Sequence, residues 1–142
     1  MSLDPEGALK AGSEILGELL FRYGFAFHWL SSDYSSGGRF ASGAYMRGNR
    51  KLDLHFRWSL GMVNYFLGDR SISHVDFMRS VIGKSQASRY PGFSDDPLDA
   101  FRDLRSDLAE YAADFLSGTD AEFLKHYDRA RDLAASQPRL PG

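Results

Sequence analysis

Residues 39–60 read RFASGAYMRGNRKLDLHFRWSL, and this stretch decides the fold. Two extended runs, 39–47 and 50–60, flank the pair Gly48-Asn49. That pair suits a type II′ turn, because glycine tolerates the positive φ required at the first central position. A two-residue turn also fixes which side chains oppose one another across the strands. The stretch therefore predicts a β-hairpin of defined register.

The register predicts one apolar face and one polar face on this hairpin. The apolar face sets small residues against large ones, in the pairs Gly43 with Leu54 and Ala41 with Phe56. The other pairs on that face are Tyr45 with Leu52, Arg47 with Arg50 and Arg39 with Trp58. The polar sheet face has the pairs Met46 with Lys51, Ala44 with Asp53, Ser42 with His55 and Phe40 with Arg57.

The segments on either side of the hairpin predict further elements. Leucines at helical spacing indicate a helix over residues 5–23, which Gly24 ends. Aromatic residues alternate over 25–29 as in a strand, and the serine-rich and glycine-rich residues 31–38 are interpreted as a loop. The third strand is expected to be interrupted by a bulge at Gly61 and to end at Gly68-Asp69-Arg70.

Three helices are predicted after the sheet. The first is capped by Ser73 and stopped by Gly83, and the second starts at Asp96-Pro97 and is stopped by Gly118. The third is capped by Thr119 together with Glu122. The order is an N-terminal helix, a three-stranded antiparallel meander and three helices packed on the sheet. It indicates an α+β fold. We expect one domain over residues 1–136 and a flexible tail over 137–142.

Composition narrows the function classes. With 142 residues and no cysteine, the chain has no disulfide, thiolate metal site or cysteine nucleophile. No apolar run approaches the about 20 residues that cross a bilayer, and no secretory signal is evident, so we expect a cytoplasmic protein without a membrane partner. Standard hydrolase, dinucleotide and metalloprotease motifs are absent from the sequence. Neither a cofactor nor a metal is predicted.

Charge is divided along the chain, whose formal net charge is −2. Residues 1–94 hold an excess of basic side chains, whereas 95–142 hold an excess of acidic ones. Three basic residues, Arg47, Arg50 and Lys51, fall at the hairpin tip, where they suit either phosphate contact or protection of the sheet edges. Because the helices are acidic, we do not expect nucleic acid to be a partner.

Three residues on the polar sheet face are candidate binding residues: His28, His55 and Arg57. Imidazole titrates near neutrality and guanidinium offers forked donors, so such a group suits a small anion or a proton relay. Solvated side chains on an open sheet are the alternative interpretation.

The connection over residues 84–95 supplies two further candidates. Loops of this length are usually functional or mobile. The two candidates in this loop are Tyr90 and Asp95. Asp95 is a candidate general base because the sequence gives it no evident structural role.

Two functions stay open at this point. One is a binding or interaction domain that self-associates, or takes a protein partner, through the polar sheet face, where Phe40 and Met46 suit docking. The other is a small enzyme with a histidine and aspartate acid–base site between that face and the loop over residues 84–96.

Overall fold

The computed structural model describes residues 4–35, 38–61, 63–82, 90 and 95–136. Within these ranges the helices are α1 (Pro5–Leu20), α2 (His74–Ile82), α3 (Asp99–Tyr111), α4 (Ala113–Leu116) and α5 (Asp120–Ser136). The strands are β1 (Ala26–Ser35), β2 (Gly38–Arg47), β3 (Arg50–Phe56), β4 (Asn64–Leu67) and β5 (Arg70–Ser73). The predicted tail, and most of the loop over residues 84–95, lie outside the described residues.

The strands form an antiparallel meander in the order β1-β2-β3-β4-β5. The α+β class, the N-terminal helix and the helices after the sheet are confirmed. The expected number of three strands is wrong, because the described residues form five.

The two additional strands arise from two reversals that the sequence prediction missed. β3 ends at Phe56, and the chain bends back over residues 57–59, so that Gly61 donates its N–H to the carbonyl of His55 at 2.8 Å. Gly61 therefore lies in the connection to β4 and does not form a bulge within a strand. Gly68-Asp69 does not end the sheet either; it is a second hairpin turn, with Gly68 at φ 61°, and β5 follows it.

The residues expected to form a loop before the hairpin are largely strand. β1 continues to Ser35, and β2 begins at Gly38. Cross-strand pairing outweighs the weak strand propensity of serine here, since the hydroxyls of Ser31 and Ser42 lie 2.7 Å apart on paired strands. The register shifts between Trp29 and Ser31, which marks a bulge in β1.

The central hairpin has the predicted turn and the predicted register. Gly48 has φ 59°, whereas Asn49 does not have a positive φ. A type II′ turn requires a positive φ at its first central residue only, so these two residues fit it. The seven pairs from Arg47 with Arg50 to Ala41 with Phe56 are as expected. The two outermost pairs, Phe40 with Arg57 and Arg39 with Trp58, do not form because β3 has already ended.

The two faces of the sheet differ in what covers them. The inner face packs against helices: the hydroxyl of Tyr45 donates to the carbonyl of Ser13 in α1, and Phe56 stacks on Phe101 of α3. Tyr65 packs against both Phe77 of α2 and Phe115 of α4, and Phe115 also contacts Phe123 of α5. All five helices therefore lie on the inner side. No described helix is long and apolar enough to cross a membrane.

The opposite side, called the outer face below, is open among the described residues. Its side chains are half-buried or exposed, except that Ala44 is buried among its larger neighbours. By strand alternation it comprises His28, Ser31, Phe40, Ser42, Ala44, Met46, Lys51, Asp53, His55, Asn64 and Phe66, with Arg57 at its end. This face is the polar sheet face predicted from the hairpin.

The helix ends depart from prediction in α1, which stops at Leu20, and at both ends of α3. α3 begins at Asp99, not at Asp96-Pro97, because the carboxylate of Asp96 accepts the N–H of Leu98 at 2.9 Å in a preceding turn. The same helix was expected to continue to Gly118, but Ala112 leaves the helical conformation and separates α3 from α4. The Thr119 and Glu122 capping box of α5 is confirmed.

Candidate functional site

The outer face holds three of the five predicted site residues. The ring of His55 stacks on Phe40 with centroids 5.2 Å apart, and the guanidinium of Arg57 lies 5.8 Å from the Phe40 ring centre. The same guanidinium lies 5.8 Å from the ring of Trp58. The structure thus joins His55, Phe40, Arg57 and Trp58 into one group, which we call the aromatic corner.

His28 lies on the same face but outside that corner. His28 pairs with Ala44, whereas His55 pairs with Ser42. The two histidines are therefore separated by two strand spacings across the sheet and by two residues along the strands. Strand geometry places their Cα atoms roughly 12 Å apart. The two imidazoles are too distant to share one ligand atom or one proton.

Asp53 adds a carboxylate between these groups. It pairs with Ala44 on one side and Asn64 on the other, at the middle of the outer face. Burial raises the pKa of Asp53 above its ordinary value, and the positive charges of Lys51 and His55 oppose that shift. Asp53 makes no ion pair within the described part of the chain.

The remaining outer-face side chains are partly apolar. Phe66 lies under the ammonium group of Lys51, with the nitrogen 4.3 Å from the ring centre. Phe40, Met46 and Phe66 are half-buried, and Trp58 is 78% exposed at the aromatic corner. Exposed rings held beside cations are a chemistry that suits contact with another protein surface.

Tyr90 and Asp95 lie elsewhere. Tyr90 is buried; its hydroxyl donates to the carbonyls of Leu60 and Gly61, and burial raises its pKa to about 12. Its ring lies 5.9 Å from His74, a residue that the sequence did not select. Asp95 is exposed, and no described contact joins it to His55. The acid–base pair of the enzyme hypothesis is therefore not assembled among the described residues.

A buried histidine–aspartate pair does exist, in a network that sequence reasoning missed. His74 Nδ1 lies 2.5 Å from the hydroxyl of Tyr65, and His74 Nε2 lies 2.9 Å from Oδ2 of Asp107. The same carboxylate oxygen accepts the backbone N–H of Tyr90 at 2.9 Å. His74 and Asp107 are each 1% exposed.

Hydrogen-bond geometry assigns the protons in this network. A carboxylate only accepts, so Nε2 of His74 carries the proton toward Asp107, and Nδ1 accepts from the hydroxyl of Tyr65. Burial raises the pKa of Tyr65 well above its ordinary value, which keeps that hydroxyl protonated. Every group has its partner, so the network stabilises the packing of β4, α2 and α3 and holds Tyr90 against them. The signal in the sequence was a single aspartate on the apolar stripe of α3, between Leu104 and Leu108.

A second histidine, His126, sits in a serine–histidine–aspartate arrangement. Its Nδ1 lies 3.1 Å from Oγ of Ser80, and its Nε2 lies 2.6 Å from Oδ2 of Asp114. This contact between helices partly buries His126, whose side chain is 20% exposed. Ser80 is 2% exposed and donates its proton to the carbonyl of Phe77, so it is a helix-packing residue and not an accessible nucleophile.

The two arginines at the hairpin tip form hydrogen bonds that stabilise the fold. Arg47 donates to the carbonyls of Tyr23 and Leu116, both at 2.6 Å. Arg50 is buried and donates to Phe115 at 2.7 Å and to Gly118 at 2.5 Å, with Asp120 at 3.0 Å. These bonds satisfy helix-terminal carbonyls. The tip therefore offers no cluster of available cations for phosphates.

Comparison with known proteins adds no further constraint, because no protein-family model, curated protein or solved structure matches this chain. Within the described ranges, no three histidine or acidic side chains are grouped so as to hold a metal ion.

Proposed function

We propose that this protein is a binding domain that associates with a second copy of itself through the outer face of its sheet. The observation that carries the proposal is the aromatic corner, where Trp58 is 78% exposed and shares the guanidinium of Arg57 with the ring of Phe40. Tryptophan and arginine are the residue types that dominate binding energy at protein interfaces.

Electrostatics favour a second copy as the occupant. The outer face combines the cations Lys51 and Arg57 with the carboxylate of Asp53, which lacks an ion-pair partner among the described residues. A two-fold axis that passes near His55, midway between Asp53 and Arg57 along the chain, brings Asp53 of each copy opposite Arg57 of the other. Burial has already raised the pKa of Asp53, so a cation supplied across the interface compensates a cost present in the isolated chain.

The size of the face sets the expected affinity. Five strands make the face about 19 Å wide, and β3 makes it about 20 Å long. Such a footprint is roughly 380 Å², half of the ~800 Å² per partner that a standard-size interface buries, which places it with weak, transient interfaces. We therefore expect a reversible dimer with a dissociation constant of about 10–100 μM.

Sedimentation velocity and light scattering over a concentration series test this proposal. Dimer is expected to accumulate as the concentration is raised through the dissociation constant. Trp58→Ala is expected to weaken the association at least about tenfold, because it removes an anchor of the interface. Phe21→Ala is the matched control: Phe21 is 59% exposed but lies on the helix side, so its removal is expected to leave the dissociation constant unchanged.

Tryptophan fluorescence locates the interface independently. The chain has two tryptophans, so Trp29→Phe leaves Trp58 as the only reporter. Acrylamide quenching of Trp58 is expected to fall as dimer forms. A monomer at all concentrations up to about ten times the expected dissociation constant, or a dimer in which Trp58 stays fully quenchable, overturns the proposal.

A further inference from the structure

A small cavity lies on the other edge of the sheet, between β5 and α5. Its volume is about 150 Å³, and Ile72 and Ala130 supply its apolar lining. The polar lining comes from Ser71, Ser73, Asp76, Tyr127 and Arg131. By register Ser71 and Ser73 stand on the outer-face side of the edge strand β5, opposite Phe66 and Asn64, and none of the lining residues belongs to the aromatic corner or to the buried histidine networks.

Two guanidinium groups meet at the ring of Tyr127. Arg131 lies 5.6 Å from the ring centre and donates to the tyrosine hydroxyl at 3.2 Å. Arg70, the first residue of β5, lies 5.9 Å from the same ring centre. Neither arginine makes an ion pair with a described carboxylate.

The one carboxylate at the cavity is already compensated. Asp76 pairs with Arg79 at 3.4 Å, so the surroundings of the cavity keep an excess of positive charge. Hydroxyl groups complete the donor set: Ser73 accepts the N–H of Asp76 and retains its own proton to donate, and Ser71 lines the wall.

We propose that this cavity binds a small phosphate-type anion, either inorganic phosphate or a short phosphate monoester. Guanidinium groups and hydroxyls are the donors that recognise tetrahedral oxyanions. The cavity volume of about 150 Å³ admits a phosphate group and little more. Pockets for whole nucleotides and drug-sized ligands are about 300–1,000 Å³, so the size excludes them.

Titration with inorganic phosphate at constant ionic strength, followed by amide chemical shifts in the full chain, tests this proposal. Saturable shifts are expected at residues 71–73 and 127–131. Arg131→Gln is expected to weaken binding about tenfold, because it removes the charge-assisted donor that lines the cavity. Arg129→Gln is the matched control, an exposed arginine on the same helix that does not line the cavity, and no change is expected.

Two further arms sharpen the result. Asp76→Asn is expected to tighten phosphate binding up to about fivefold, since it removes the negative charge and frees Arg79. Phenyl phosphate in place of inorganic phosphate distinguishes the sources: tighter binding assigns a monoester, and equal or weaker binding assigns the free ion. Shifts that do not saturate, or equal weakening by the Arg129 and Arg131 variants, overturn the proposal.

Discussion

The same substitution at two glycines of α1 is expected to change stability in opposite directions. Alanine is favoured over glycine by about 0.5–1 kcal/mol inside a helix, so on propensity alone both Gly12→Ala and Gly17→Ala are stabilising. The packing around the two positions makes the expected changes in stability opposite in sign. A Cβ at Gly12 would lie 2.4 Å from the ring of Phe101, and a Cβ at Gly17 would lie 2.5 Å from the ring of Phe21.

The two rings differ in their freedom to move. Phe101 is fully buried and stacks on Phe56, so the required retreat of about 1 Å, from 2.4 Å to ordinary contact, must displace the core. Overpacking of this kind costs about 1–3 kcal/mol, and the close approach to three ring atoms places Gly12→Ala at the upper end of that range. After the propensity gain of about 0.5–1 kcal/mol, we expect a net loss of about 2–2.5 kcal/mol. Phe21 is 59% exposed and can rotate into solvent, so Gly17→Ala is expected to gain up to about 0.5 kcal/mol.

Urea denaturation followed by circular dichroism measures both values. The double variant Gly12→Ala with Phe101→Leu serves as a test of cause, because the smaller side chain makes room for the new Cβ. The double variant is expected to lose less free energy of unfolding than the two single variants lose when their losses are added. The reasoning is refuted if Gly12→Ala is as stable as Gly17→Ala, or if the double variant shows simple additivity.

Two other predictions concern buried polar groups. Arg50→Lys is expected to lower the free energy of unfolding by about 2–4 kcal/mol, because an ammonium group cannot satisfy the carbonyls of Phe115 and Gly118 together as the guanidinium does; a loss below about 0.5 kcal/mol in urea denaturation contradicts this. Raising the pH from 10 toward 12 is expected to destabilise the fold, since Tyr90 ionises near its ordinary pKa of 10 when unfolded but at about 12 when folded. Tyr90→Phe is expected to make the fall in the urea midpoint over this pH range shallower, and an unchanged slope counts against the assignment.

The central hairpin was predictable from the sequence, whereas β4 and β5 were not. The difference lies in the length of the alternating runs beside each turn. Gly48-Asn49 is flanked by long alternating runs, and turn and register then follow together. Gly68-Asp69 adopts the same glycine conformation, at φ 61°, but joins two strands of four residues each. Four residues give too short an alternation to distinguish a strand from a turn, so β4 and β5 are stabilised by pairing that the sequence does not display.

The candidate site was predictable only where strand alternation governs it. His55 lies where the register places it, opposite Ser42, whereas Arg57 lies beyond the end of β3 and reaches the Phe40 ring without the predicted strand pairing. The buried network depends instead on long-range packing, because Asp107 reaches His74 across 33 positions of sequence. No local pattern encodes that distance, although the aspartate within an apolar helix stripe indicated that a buried partner had to exist.

The placement of the histidines agrees with the binding role that we propose for this fold. Both ring nitrogens of His74, and both of His126, are hydrogen-bonded within the packed helices and strands. His74 is also buried, whereas the side chain of His126 is 20% exposed, and the imidazoles of both are engaged by protein partners. The other two histidines lie on the outer face, too far apart to act on one atom, and one of them is stacked on an aromatic ring. The open sheet therefore presents aromatic rings, cations and the carboxylate of Asp53 on its outer face.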